Sequence, residues 1–130
     1  GDGIDELIIG GTGSKQSSIL RLYTMVDREP AYAAGGSEGN EYYALAWNDI
    51  LNEYTGEAGE TCYVIYSLEP NSTELFWQVG YKYDTAEDKD NPWFTAYNDR
   101  EWEPITEEEF NSAITRINSD RLSLKFTPFK

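Results

Sequence analysis

The sequence predicts an α+β fold that is mostly β, in which one antiparallel meander sheet of about six to eight strands carries a single C-terminal helix on one face. Two observations lead to this prediction. Runs rich in aromatic and β-branched residues recur from residue 4 to residue 103 between clusters of turn residues, and an apolar pattern of helical period follows residue 106. The 130 residues contain no low-complexity linker, so residues 1–130 are expected to fold as a single domain.

The first third of the chain predicts two strands and a short third one. Residues 4–10 form an apolar run that ends in a glycine-rich turn. A second apolar run, residues 18–26, is closed by the turn at residues 27–30, so a hairpin with a short return strand over residues 31–34 is expected. The three glycines of residues 35–40 then predict a loop.

The middle of the chain has the strongest β pattern. Strands are predicted over residues 42–47, 61–68 and 74–83, and the turn at residues 70–73 favours direct antiparallel pairing of the last two. In the run 74–83, an alternation that only Phe76 interrupts predicts one covered face and one wetter face. The predicted covered face consists of Leu75, Trp77, Val79, Tyr81 and Tyr83, and the wetter face of Gln78, Gly80 and Lys82.

The helix is predicted over residues 106–118. Thr106 is its expected N-cap, and Glu109, three positions later, completes a capping box. An apolar stripe at helical spacing is expected to dock on the sheet. Its members are Phe110, Ala113, Ile114 and Ile117.

Three segments flank this helix. A charged loop over residues 84–92 leads into a predicted hairpin formed by residues 93–97 and 101–103. After the helix, alternation over residues 122–126 predicts a final short strand.

Charge and composition exclude several functions. The chain has 24 acidic and 10 basic residues and a formal net charge of -14, so a nucleic acid or an anionic lipid surface would be repelled. It has no histidine, which removes Ser-His and Cys-His mechanisms and imidazole metal ligands. Its one cysteine, Cys62, is expected to be a small buried hydrophobe. No run approaches the ~20 apolar residues of a transmembrane segment.

Both ends of the chain carry a family resemblance. The opening GDGIDELIIG resembles the second half of a D-x-D-G-D-G-I-x-E-L-I-I-G motif in poorly characterised secreted or lipoprotein-type proteins of gut Firmicutes, and residues 103–111 and 124–129 resemble the C-terminal segment of that group. The resemblance implies a bacterial, extracytoplasmic protein, secreted or held at the cell surface, with no established activity. Because the chain begins inside the motif, we expect the full-length protein to have an upstream segment.

The opening motif also suggests a calcium site. Alternating carboxylates in a glycine-containing loop suit Ca²⁺, and here Asp2, the Ile4 carbonyl and Glu6 would supply ligands while Gly3 makes the turn. The first acidic positions of the motif are absent, so the calcium loop would be incomplete. The alternative is a chain terminus that leads into a strand. No other cofactor is predicted.

Two further groups are candidate binding residues. The charged loop forms either a solvated acidic surface or a cation site, and its acids are Asp84, Glu87, Asp88 and Asp90. Exposed tryptophans stack on sugar rings or anchor protein interfaces, whereas buried ones only pack in the core or at its rim. The candidate tryptophans are Trp47, Trp93 and Trp102, of which Trp93 and Trp102 flank a loop and a turn, where full burial is harder.

These observations predict a non-catalytic binding or interaction module of the bacterial cell envelope, with a glycan or a protein as its partner and no nucleic acid. The alternative is a histidine-free, glycosidase-like hydrolase that uses an Asp/Glu pair. Such catalysis needs two carboxyl groups about 5 to 10 Å apart. With 24 acidic residues some pair meets that distance by chance, so the sequence favours the module.

Overall fold

A computed structural model describes residues 7–10, 18–98 and 101–124, and these residues form one antiparallel sheet of nine strands and one α-helix. The strands are β1 (Leu7–Gly10), β2 (Ser18–Val26), β3 (Glu29–Gly35), β4 (Asn40–Ala44), β5 (Asp49–Thr55), β6 (Thr61–Leu68), β7 (Leu75–Tyr83), β8 (Trp93–Tyr97) and β9 (Glu103–Pro104). The helix is α1 (Glu107–Asp120), and Ala46–Asn48 form a single 3₁₀ turn. The predicted fold class is confirmed.

The sheet is a meander from β4 to β9, with each strand pairing with the next. The strand β2 departs from this order. Its first two residues pair with β4, residues 21–26 pair with β3, and β1 pairs along its other side. The backbone N–H of Asp27, at the tip of the β2–β3 hairpin, donates a hydrogen bond of 2.7 Å to Oδ1 of Asn71 in the β6–β7 turn. The β2–β3 hairpin therefore curls back over the sheet.

Both faces of the sheet are covered, whereas the sequence pattern predicts one covered and one wetter face. Neighbouring residues of a strand point to opposite faces, so Ile50 and Leu51 of β5 belong to different clusters. Ile50 packs with Ile19 and Leu22 under the curled hairpin. Leu51 packs with Ile117 under the helix. The curl of β1–β3 supplies the second covering layer.

The helix begins as predicted and ends two residues later than predicted. Oγ1 of Thr106 accepts a hydrogen bond of 3.1 Å from the backbone N–H of Glu109, which satisfies one donor of the first helical turn. Phe110, Ala113 and Ile117 are buried against the sheet. The predicted final strand is absent from residues 122–124, and its remainder lies outside the described residues. In its place, Arg121 forms a single antiparallel bridge with Leu45.

The strand β5 is central to the sheet, yet the sequence pattern predicts no strand there. Only Ile50 and Leu51 give it an apolar pair, and Asn52 and Glu53 follow at once. Both polar side chains have partners. Nδ2 of Asn52, which is buried, donates to Oδ1 of Asn40 at 2.6 Å, and Oε2 of Glu53 accepts from Arg121 at 2.9 Å. Tertiary contacts therefore compensate for a weak local β pattern.

The predicted face of Leu75 and Trp77 in β7 is wrong because an irregularity interrupts the strand. Ile65 pairs with Val79, whereas the next residue, Tyr66, pairs with Trp77. This bulge reverses the alternation, so Trp77 lies on the same face as Gly80, and a Cβ atom on Gly80 would meet its ring at 2.7 Å. Lys82, predicted on the wetter face, is only 9% exposed.

Candidate functional site

The loop between β4 and β5 presents a large apolar side chain to solvent. The backbone N–H of Leu45 donates to the Asp49 carbonyl at 2.9 Å and closes the loop over Ala46–Asn48. The indole of Trp47 at its tip is 89% exposed, the largest exposure among the large apolar side chains of the described residues. Trp47 therefore contributes little to the core.

The backbone of this loop is strained. Trp47 (φ 67°, ψ 25°) and Asn48 (φ 61°) are consecutive left-handed residues, which lets three residues reverse the chain between two strands. Asparagine tolerates this conformation, whereas it costs a bulky residue about 1–2 kcal/mol. Burial of the indole does not offset that cost. Strained backbone that presents an exposed aromatic ring is typical of functional sites.

Polar groups surround the base of the loop. Nε2 of Gln78 donates a hydrogen bond of 2.8 Å to Oδ1 of Asp49. Burial raises the pKa of the Asp49 carboxyl, the hydrogen bond from Gln78 opposes this shift, and the negative charge of Asp120 adds to it. Asn48 is exposed beside them. The loop therefore combines one apolar ring with amide and carboxylate groups that can bind hydroxyl or ammonium donors.

The other two candidate tryptophans are half-buried and lie elsewhere. The ring of Trp93 packs at 6.2 Å from Tyr83, and that of Trp102 packs edge-on at 5.8 Å from Trp77. The residue pairs across β8, β7, β6 and β5 align Trp93 with the last residue of β5. Trp47 instead precedes the first residue of β5. The structure therefore does not bring the three tryptophans together.

Trp102 covers a buried ion pair rather than a cleft. The ammonium of Lys82 lies 4.9 Å from the Trp102 ring and 5.0 Å from the Phe94 ring, and 3.6 Å from Oδ2 of Asp84. Both charged residues are less than a tenth exposed. This arrangement is typical of structural packing, since the aromatic faces stabilise a cation that is already neutralised.

The acidic loop uses its carboxylates to hold its own backbone. Oδ1 of Asp84 accepts from the N–H groups of Ala86 and Glu87 at 3.0 and 3.1 Å, and Oδ1 of Asp88 accepts from those of Asp90 and Asn91 at the same distances. The side chains of Glu87 and Asp90 are exposed.

Two observations concern the metal hypotheses. Within residues 7–10, 18–98 and 101–124, no three acidic or cysteine side chains are grouped as a metal site would require. The candidate calcium ligands Asp2, Ile4 and Glu6 lie outside the described residues, so the calcium hypothesis stays a prediction.

The sequence pattern predicts Trp47 at the end of a strand, whereas the structure places it in a loop. The Asn48-Asp49 pair is turn chemistry that would have located the loop. No local signal identifies Gln78 as the partner of Asp49, because 29 residues separate them.

Comparison of the chain with family models, curated proteins and solved structures gives no match. Among the described residues, no helix combines the length and apolar character needed to cross a bilayer.

Proposed function

We propose that the chain is a non-catalytic binding module of the bacterial cell envelope and that the Trp47 loop binds a glycan. The observation that carries the proposal is an indole that is 89% exposed on left-handed backbone. An indole face carries partial negative charge and attracts the C–H groups of a sugar ring. The neighbouring amide and carboxylate groups of Asn48, Asp49 and Gln78 can bind sugar hydroxyls.

The charge of the chain and its resemblance support the rest of the proposal. A formal net charge of -14 favours neutral or cationic partners over polyanions. The opening motif resembles extracytoplasmic proteins, which meet glycans in the cell wall and in their surroundings.

A glycan array probed with the purified chain tests the proposal. We expect saturable binding to at least one neutral glycan, and we expect W47A to weaken it by about tenfold, the effect of losing ~1.4 kcal/mol at a central aromatic contact. The matched control is Y97A, which removes a ring that is 56% exposed elsewhere on the sheet. Absence of saturable glycan binding, or equal effects of W47A and Y97A, would contradict the proposal, even if the chain captured a protein.

A second candidate, hydrolysis by a carboxylate pair, rests on Asp49 and Asp120. Burial raises the pKa of Asp49, the hydrogen bond from Gln78 opposes this shift, and the charge of Asp120 adds to it. A raised pKa is what the acid of such a pair needs. A panel of glycosidase substrates tests this candidate. Turnover that is lost in both D49N and D120N would favour hydrolysis over binding alone.

A further inference from the structure

A groove lies between one flank of α1 and the neighbouring strands β7 and β8, with a volume of about 350 Å³. This volume falls within the range of small-ligand sites, about 300–1,000 Å³. Tyr81, Thr95 and Tyr97 line its floor. Tyr81 packs under the helix and pairs with Thr95, and Tyr97 follows two positions later in β8, so all three side chains point to the helix face of the sheet. Because Tyr97 is 56% exposed, α1 leaves this part of the face open to solvent.

The α1 wall of the groove carries opposite charges at its two ends. Glu108 and Glu109 lie in the first turn of the helix, and Arg116 lies about two turns later. At 1.5 Å per residue, Glu108 and Arg116 are about 12 Å apart along the helix axis. A ligand that fills the groove therefore meets carboxylates at one end and a guanidinium at the other.

Arg116 is the residue that most directly indicates a ligand. Among the described residues, no carboxylate lies within salt-bridge distance of its guanidinium, although the chain has 24 acidic residues. Its charge nevertheless reaches the floor of the groove. Burial raises the pKa of Tyr81, the neighbouring Tyr97 adds to this rise, and Arg116 opposes it. The guanidinium can therefore bind an incoming carboxylate through two parallel hydrogen bonds beside the phenol of Tyr81.

The charge of the whole chain narrows the choice of occupant. A formal net charge of -14 repels a ligand whose only charge is a carboxylate. A zwitterion carries no net charge, and its ammonium can pair with Glu108 and Glu109 while its carboxylate pairs with Arg116. Each residue of an extended peptide spans about 3.3–3.6 Å, so three or four residues bridge the roughly 12 Å between the charged ends.

We infer that the groove binds a short peptide of three or four residues with both termini free. Its carboxylate pairs with Arg116, its ammonium lies beside Glu108 and Glu109, and its backbone packs on the rings of Tyr81 and Tyr97. None of the described residues that line the groove belongs to the Trp47 loop, so this site does not depend on glycan binding there.

Titration of the isotope-labelled chain followed by amide NMR tests the site, with trialanine as the probe. We expect saturable shifts at Thr95, Ser112 and Arg116. C-terminal amidation of the probe removes its carboxylate and should weaken binding about fivefold, as expected for a partly exposed ion pair. N-acetylation removes its ammonium and should weaken binding by at least as much. Non-specific attraction to the acidic chain would give a different order, because the amide carries a net positive charge and would then bind best.

A matched pair of variants locates the carboxylate of the probe. R116Q should lower the affinity for trialanine about fivefold and leave the affinity for trialanine amide unchanged, because the amide makes no ion pair there. Its control, R28Q, removes an exposed guanidinium in the turn between β2 and β3 and changes the net charge equally. We expect R28Q to change neither affinity.

The aromatic variants separate this site from the proposed function. Y97A should weaken the binding of trialanine and leave glycan binding unchanged, whereas W47A should do the reverse.

Three outcomes would overturn the inference. The first is an absence of saturable shifts with trialanine. The second is binding of trialanine amide as tight as that of trialanine or tighter. The third is an equal effect of R116Q and R28Q on trialanine affinity.

Discussion

At the scale of single residues, the backbone of Trp47 gives a prediction about stability. Replacement by glycine relieves the left-handed strain, whereas replacement by alanine keeps it, so we expect W47G to be about 1 kcal/mol more stable than W47A in urea unfolding. At Tyr97, a strand position without positive φ, the order should reverse, with Y97G less stable than Y97A. If W47G were the less stable of its pair, the loop would not be strained.

The buried pair of Lys82 and Asp84 gives a second prediction at this scale. D84N leaves a buried ammonium without its carboxylate, so we expect a loss of about 3 kcal/mol in the free energy of unfolding. K82M should cost only about 1 kcal/mol, because a methionine still packs on Phe94 and Trp102 and Asp84 keeps its two backbone donors.

Urea unfolding of both variants measures this difference, with E57Q as the control for loss of an exposed carboxylate. Equal costs for D84N and K82M would show that the two backbone donors do not compensate Asp84 for the loss of Lys82.

At the scale of elements, the sequence predicted those whose pattern is local. The Thr106 cap and the apolar stripe of α1 are complete within 12 residues, and they were correctly placed. The strand β5 was missed because the partners of Asn52 and Glu53 lie on other elements. The bulge in β7 also needs its partner strand to define it, so Trp77 was assigned to the wrong face.

The candidate site was less predictable than the fold. The sequence named Trp47 together with Trp93 and Trp102 and favoured the latter two, which flank a loop and a turn. The packing of Trp93 and Trp102 instead leaves Trp47 as the exposed ring. The contact of Gln78 with Asp49 joins two strands that are not neighbours along the chain. Such contacts depend on the register of the whole sheet, which local composition does not determine.

The junction between α1 and the sheet gives the next prediction. Nη2 of Arg121 donates to Oε2 of Glu53 at 2.9 Å, and its guanidinium lies 4.4 Å from the Tyr43 ring. A double-mutant cycle with R121M and E53Q should give a coupling energy of about 1 kcal/mol, because the pair is only partly exposed.

Urea unfolding at low and high salt measures this coupling, which salt should reduce. Replacement of Tyr43 by leucine should lower the cost of R121M in the free energy of unfolding. It should leave the salt dependence of the coupling energy unchanged. A coupling near zero would mean that apolar packing alone holds the helix.

At the scale of the whole molecule, both faces of the sheet bury tyrosine side chains. Tyr63 and Tyr81 pack under the helix, and Tyr42 packs under the curled hairpin. Burial is the main cause that raises the pKa of each of these phenols, and it likewise raises the pKa of Tyr54, whose hydrogen bond with Cys62 adds to the shift. The four phenols therefore hold their protons in the folded state at a pH where an unfolded chain loses them.

This difference predicts loss of stability in alkali. Above the ordinary tyrosine pKa of about 10, the folded chain binds more protons than the unfolded chain, so the free energy of unfolding falls as the pH rises. Urea unfolding at a series of pH values measures the slope, and phenolate absorbance should rise together with the loss of circular dichroism. Y54F removes the largest of the shifts and should make the slope shallower. Ionisation of all four phenols while the sheet stays folded would show that solvent reaches them, and the two covered faces would then not be closed layers.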